Sequence, residues 1–151
     1  MSLVYVDTSV VAGAYFRDEQ DHKSLYATVF ENPDPVVTSE LTRIEFASVV
    51  AAAHRHGRIK DPTIFLEQFD SDCDESEDEG QAISLLRFDS DAVVPLARIL
   101  VLEHRVRTLD AMHVAVALTG ATMLAAGEPV EFLTRDERQA TAARQRGLVV
   151  R

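Results

Sequence analysis

The first nine residues constrain the fold of this 151-residue chain more than any other stretch. A continuous apolar run, Leu3 to Val6, ends at Asp7-Thr8-Ser9, and a second apolar segment begins at once at Val10. Such a run predicts a buried parallel strand, and the residues after it lie at the sheet edge where α/β proteins bind ligands. Asp7 is therefore either a site residue or the N-cap of the helix that begins near Val10.

The rest of the chain alternates short apolar runs with helical patterns, which predicts one α/β domain with a mostly parallel sheet. Further strands are expected at residues 36–38, 82–88, 122–125, 130–133 and 148–150. Helices are expected at residues 10–16, 18–31, 39–56, 61–69, 89–103, 108–120 and 136–147. We expect Ser39 to cap its helix, and Gly57 and Gly147 to end theirs.

The composition bounds the class of protein. A hydrophobic content of 46% is enough for the core of one domain. No apolar run approaches the length of a membrane span, and the N-terminus lacks the pattern of a signal peptide. The single cysteine, Cys73, cannot form an intramolecular disulfide, which fits a reducing compartment. We therefore expect a soluble cytoplasmic protein with no membrane partner.

The net charge of −10 argues against a broad basic surface that holds nucleic acid. The charge is uneven, however, because residues 70–79 alone contain seven acids. Basic residues elsewhere permit a local nucleic-acid contact; they include Arg135, Arg138, Arg144 and Arg146.

The acidic segment, Asp70 to Glu79, imitates the start of a calcium-binding EF-hand loop. Its sixth position is Glu75 instead of glycine, and its twelfth is Gln81 instead of glutamate, so we reject a calcium site. The segment is interpreted as a solvent-exposed acidic loop at about residues 70–80.

Glu45 is the second informative carboxylate. Three- and four-residue spacing marks one apolar face of its predicted helix: Leu41, Ile44, Ser48, Ala51 and Ala52. Glu45 falls within this face, where an unpaired carboxylate is costly. It is therefore a site residue, or it forms a salt bridge, or the edge of the face lies elsewhere.

Two further carboxylates lie at helix starts. Asp110 is in the first turn of a helix predicted to bury Leu109, Met112 and Val116, where a carboxylate also favours the helix dipole. His113, three residues on, is interpreted as a packing residue or as a partner of an acid. Asp136 with Gln139 resembles a capping box.

Each of the four carboxylates has a structural alternative when it is taken alone. Together, Asp7, Glu45, Asp110 and Asp136 follow strand ends or open helices, which would bring them to one sheet edge. Oxygen ligands of this kind suit Mg²⁺ or Mn²⁺, whereas the histidines lack the spacing of a zinc site.

These stretches resemble the acidic motifs of PIN-domain ribonucleases in order and spacing along nearly the whole chain. The motifs are Leu3 to Ser9, Glu45 after Thr38-Ser39, Thr108-Leu109-Asp110-Ala111-Met112-His113, and Leu133-Thr134-Arg135-Asp136. The similarity is greatest to the VapC-type toxins of toxin-antitoxin pairs. A second acid two residues after Asp7 would have suggested a haloacid-dehalogenase-type phosphatase, but that position is Ser9.

The resemblance implies that residues 1–151 form one PIN-like nuclease domain, with a parallel sheet of four or five strands flanked by helices on both faces. It also implies a homodimer, a cognate antitoxin protein and metal-dependent endonucleolytic cleavage of RNA with Mg²⁺ or Mn²⁺. Asp7, Glu45 and Asp110 would be metal ligands, and Asp136 a fourth carboxylate acting directly or through water. Thr8 or Ser9, and Thr134, would support these ligands. A catalytically inactive PIN-like scaffold that binds RNA is the alternative.

Overall fold

The computed structural model describes residues 1–75 and 81–151 of the chain. In these residues the strands are β1 (Leu3–Val6), β2 (Val36–Ser39), β3 (Ser84–Leu86), β4 (Val130–Leu133) and β5 (Val149–Val150). They form one five-stranded sheet in the order β3-β2-β1-β4-β5, and every pair is parallel. Because β1 is central, the residues after β2, β1 and β4 lie side by side at one edge.

Helices cover both faces of the sheet, which confirms the predicted α/β architecture. They are α1 (Thr8–Tyr15), α2 (His22–Phe30), α3 (Leu41–Arg55), α4 (Pro62–Asp72), α5 (Ser90–His104), α6 (Thr108–Val116), α7 (Thr122–Ala125) and α8 (Glu137–Gln145). A π-helical turn, Ala117–Ala121, joins α6 to α7. The residues expected to end two helices, Gly57 and Gly147, have φ angles of +73° and +93°, which glycine adopts without strain.

The strand β1 separates two apolar clusters. Leu3 and Tyr5 face a cluster that includes α5, α6 and α8, while Val4 and Val6 face a cluster built from α1, α3 and α4. This alternation follows from the two-residue period of a strand. It also aims Asp7 toward the side of Tyr5 and α6, because Asp7 has the same parity as Tyr5.

The apolar face predicted for α3 is wrong. Ile44 is 73% exposed, and Ser48 and Ala51 are exposed as well. The buried residues of this helix are Thr42, Phe46, Val50 and Ala53. The small side chains of α3 satisfy helical spacing on more than one face, and the aromatic cluster around Phe46 decides which face packs.

The prediction of a strand at residues 122–125 is also wrong, because this segment is α7. Gly120 was expected to end the preceding helix, but it lies in the π-helical turn and the helical backbone continues through it. The helix ends at Ala126 and Gly127, both of which have positive φ. Leu109, expected to be buried, is 43% exposed.

The continuous helical stretch Thr108–Ala125 has a mean hydropathy of 1.3 over 18 residues, so it could cross a membrane by length and composition alone. This corrects the expectation that no run approaches that length. In the fold the stretch packs against α5 and buries residues such as Ala111, Val114 and Ala115. A core helix of this kind passes the same test.

The acidic segment begins as helix rather than loop. Asp70 and Asp72 belong to the last turn of α4, and Asp72 accepts a hydrogen bond of 2.5 Å from the hydroxyl of Tyr15. This helical turn corrects the expected loop at residues 70–72. The part of the predicted loop at residues 76–80 lies outside the described residues.

Candidate active site

Asp7 is both the N-cap of α1 and a buried carboxylate at the sheet edge, so the two interpretations of this residue are compatible. Its Oδ1 accepts hydrogen bonds from the backbone N–H of Val10 at 3.1 Å and from the hydroxyl of Ser9 at 2.6 Å. Its Oδ2 lies 2.7 Å from the hydroxyl of Thr134, which follows β4. Asp7 is only 4% exposed. Burial raises the pKa of Asp7 above its ordinary value, although these hydrogen bonds oppose the rise.

Glu45 comes from α3 and meets α6 across the sheet edge. Its Oε1 lies 2.5 Å from Nε2 of His113 and accepts a 3.0 Å hydrogen bond from the hydroxyl of Thr8. His113 is buried, and its Nδ1 lies 2.7 Å from the hydroxyl of Tyr5. Partial burial acts to raise the pKa of Glu45, but the hydrogen bond and charge of His113 bring that pKa below its ordinary value. Glu45 is therefore held as a carboxylate.

Arg107 links the other two predicted acids. Its Nε donates to Oδ2 of Asp110 at 3.2 Å, and one terminal nitrogen lies 3.9 Å from Oδ2 of Asp136. Asp136 also caps α8, since its Oδ1 accepts a 2.8 Å hydrogen bond from the backbone N–H of Gln139. The side chain of Arg107 is 80% exposed, so this contact is accessible to solvent.

Gln139 connects the two halves of the site. It is fully buried, and its Nε2 donates to the backbone carbonyl of Asp110 at 3.1 Å. Its Oε1 lies 2.6 Å from the hydroxyl of Thr134, which also contacts Asp7. In a capping box the Gln139 side chain would bond to the N–H of Asp136, but here that N–H donates to Thr134. The expected capping box is therefore half formed.

Sequence reasoning did not assign Tyr5 or Arg107 to the site. It also did not identify Gln139 as the residue that links Asp110 to Thr134. In the sequence, Tyr5 is one residue of an apolar strand. It lies too far along the chain from His113 for any local pattern to indicate that the two side chains meet. Arg107 directly precedes the Asp110 motif, so its position next to the acids could have been found from helical spacing.

Asp7 and Asp136 follow β1 and β4, whereas Glu45 and Asp110 lie in α3 and α6, and the four acids do not form a closed metal-binding set. Within residues 1–75 and 81–151, no group of three His, Cys, Asp or Glu side chains is placed to hold a metal ion. The donor chemistry nevertheless suits a hard divalent cation, because all four side chains offer carboxylate oxygens. In the same residues no arginine, lysine or histidine forms an ion pair with Asp7, whose hydrogen-bond donors are all neutral. The charge of His113 lowers the pKa of Asp7 but does not offset the effect of burial, so a cation would further stabilise this carboxylate.

The PIN domain family model matches residues 4–145, which is nearly the whole chain. The chain belongs to the PIN-domain family. Members of this family are generally nucleases, so the general activity is hydrolysis of nucleic acid.

The solved structures that have a similar fold include a chain of a toxin-antitoxin complex from Klebsiella pneumoniae, with a TM-score of 0.52 and 15% sequence identity. The alignment covers 88% of this PIN domain and 86% of that chain. At this identity the likeness shows the fold. No curated protein sequence matches the chain.

Proposed function

We propose that this PIN domain is a metal-dependent endoribonuclease and the toxin of a toxin-antitoxin pair. The observation that carries the proposal is the buried carboxylate of Asp7. It accepts hydrogen bonds only from neutral donors among the described residues, at the end of the central strand β1. A bound cation would balance that charge.

Asp7, Glu45, Asp110 and Asp136 would hold Mg²⁺ or Mn²⁺. The bound ion supplies Lewis acidity, which activates a water molecule and stabilises negative charge on the phosphate group. Asp7 is oriented for this role by Ser9, Thr134 and the start of α1. All the recorded hydrogen bonds of Glu45 within the described residues go to Oε1, which leaves Oε2 available to a ligand.

Asp110 and Asp136 take part only after Arg107 releases them. The guanidinium of Arg107 is largely exposed, and exposed ion pairs of this kind contribute little, about 0–1 kcal/mol. A cation can therefore displace Arg107 at small cost. Gln139 keeps the backbone of Asp110 in place while the arginine moves.

The test is RNA cleavage by the purified protein in Mg²⁺ or Mn²⁺ and in EDTA, with a mixed RNA substrate. Asp7→Asn should abolish cleavage, because it removes one ligand charge while asparagine still caps α1. Asp61→Asn is the matched control. Asp61 caps α4 in the same way through a 2.9 Å hydrogen bond, but it is exposed and outside the site. Equal cleavage by wild type and Asp7→Asn would refute the proposal.

A catalytically inactive PIN-like scaffold is the second candidate. It is favoured by the contact of Arg107 with Asp110 and Asp136, which leaves no ready set of three ligands in the described part of the chain. RNA binding without cleavage in any divalent cation would select the scaffold. A phosphatase is a weaker alternative, since Ser9 stands where its second acid would be, and hydrolysis of p-nitrophenyl phosphate tests it.

The toxin assignment includes a protein antitoxin and a homodimer. The solved structure with a similar fold is described as a toxin-antitoxin complex, and we extend that description to this chain. Copurification with the product of a neighbouring gene, and relief of both toxicity and RNA cleavage by coexpression, would support it. If that product changed neither, the toxin assignment would fail even if the nuclease activity remained. Light scattering measures the dimer.

A further inference from the structure

A groove of about 840 Å³ extends from the candidate active site. Asp110, Asp136 and Arg107 line it, together with the end of α5 and one face of α8. Asp7 and Glu45 do not line it. The volume is within the range of small-ligand sites.

His104 gives the groove an unused polar group. Within residues 1–75 and 81–151, its Nε2 is the one enclosed side-chain nitrogen or oxygen without a hydrogen-bond partner. Buried polar atoms are usually paired, but this nitrogen is shielded from solvent, so the imidazole ring must rotate before a ligand in the groove can pair with it. The imidazole can donate or accept, and its ring can also stack on a base.

The α8 wall presents polar groups along one face. Arg138, Thr141 and Gln145 line the groove at helical spacing, over roughly 10 Å of the helix axis. Arg138 is exposed and forms no recorded ion pair in the described part of the chain, whereas Glu103 opposite is paired with Arg146 at 2.5 Å. A free guanidinium suits a phosphate, and the amide of Gln145 suits the edge of a base.

We propose that this groove binds the ribonucleotide adjacent to the cleaved phosphodiester, with Arg138 on its phosphate and, after rotation of the imidazole ring, Nε2 of His104 on its base. The choice of RNA rests on the proposed function. Arg107 lines the groove beside Asp110 and Asp136, so its release from these acids would free it to contact the same strand. The groove thereby selects the base that flanks the cut.

The binding experiment titrates the wild-type protein in Mg²⁺ with each of the four nucleoside 5′-monophosphates, followed by NMR. These probes contain no phosphodiester, so they cannot be cleaved. At millimolar concentrations we expect shifts at Thr141 and Gln145. Arg138→Gln should weaken binding roughly tenfold, because a charged hydrogen bond is lost. Arg144→Gln is the matched control, since Arg144 is an exposed arginine of the same helix that does not line the groove.

A second measurement maps the ends of cleaved RNA by sequencing. His104→Phe keeps a ring but removes the nitrogen, so the base preference at one position beside the cut should flatten. The melting temperature and NMR spectrum of each variant verify that it is folded. Nucleotide binding in the groove without RNA cleavage would refute the proposed nuclease activity but would leave the groove proposal intact.

The groove proposal itself is overturned by either of two results. One is the absence of binding by any of the nucleotides. The other is an Arg138→Gln variant that matches Arg144→Gln within about twofold in both binding and cleavage, because an effect of that size is small against the loss expected for a charged contact.

Discussion

Replacing Asp7 by asparagine should stabilise the metal-free protein while it destroys activity. Burial raises the pKa of Asp7, so the folded state binds the proton of this carboxyl more tightly than the unfolded state does. The free energy of unfolding therefore falls as pH rises from the unfolded-state pKa, about 3.9, through the folded-state pKa. Asparagine removes this pH-dependent loss. The stabilisation by Asp7→Asn should be full at neutral pH and vanish in acid.

The size of the effect follows from the same linkage. Each pH unit by which the folded-state pKa exceeds the unfolded-state value costs about 1.4 kcal/mol at neutral pH. For a domain of this length, 1 kcal/mol shifts the melting temperature by roughly 2–4 °C. The hydrogen bonds from Ser9, Val10 and Thr134 already enter the net pKa, so they are not subtracted again. Asparagine can keep the N-cap bond to Val10.

Added metal should reduce the difference in stability between the two proteins, because it stabilises wild type more than Asp7→Asn. Mg²⁺ at ten times its dissociation constant should add about 1.4 kcal/mol to wild type by mass action, which is roughly 3–6 °C. Asp7→Asn should gain much less, because one charged ligand is missing.

The assay is thermal unfolding by circular dichroism in EDTA and in Mg²⁺, at constant ionic strength and at several pH values. Asp61→Asn is again the control, since it removes an exposed cap charge. The reasoning fails if Asp7→Asn melts below Asp61→Asn in EDTA at neutral pH. It also fails if wild type and Asp7→Asn gain equally from saturating Mg²⁺ or Mn²⁺.

Three further predictions follow from side-chain contacts. Phe46→Ala should lose about 3–5 kcal/mol of unfolding free energy in urea, whereas Ile44→Ala, on the exposed face of the same helix, should change it by less than about 0.5 kcal/mol. Tyr5→Phe should cost about 1–3 kcal/mol because it leaves the buried Nδ1 of His113 unpaired, and a Tyr5→Phe variant as stable as wild type would contradict that cause. Arg107→Gln should tighten Mg²⁺ binding at most about fivefold by calorimetry, since an exposed ion pair is worth up to about 1 kcal/mol; weaker binding would contradict its role as a competitor.

The sheet was predictable because each strand is a short apolar run bounded by strong turn or cap signals. Asp7 ends β1 and Pro35 precedes β2, so local chemistry and burial agree at these positions. Helix faces were less predictable. In α3, alanine and serine satisfy several helical stripes, and only the aromatic rings from α1 and α4 select the face that contains Phe46. The helix predicted for residues 108–120 continues to Ala125, because a π-helical turn joins α6 to α7.

The candidate site also has a part that could be predicted from the sequence and a part that could not. A carboxylate at a strand end can be recognised in the sequence, because a charged residue directly after a buried apolar run is costly unless it caps a helix or serves a site. The groups that hold these carboxylates do not, since their partners are distant along the chain. Tyr5 and His113 are 108 residues apart, and Thr134 reaches Asp7 across 127 residues.

The pairing of β4 with β1 brings Thr134 to Asp7, and the packing of α6 on the sheet brings His113 to Tyr5. A register shift of one residue in β1 would turn Tyr5 away from His113 and Asp7 away from Thr134, because successive strand residues point to opposite faces. The two apolar clusters on either side of β1 therefore protect the geometry of the site as well as the fold. Sequence reasoning can accordingly identify the acids, whereas the hydrogen bonds that orient them depend on the register of β1 against β2 and β4.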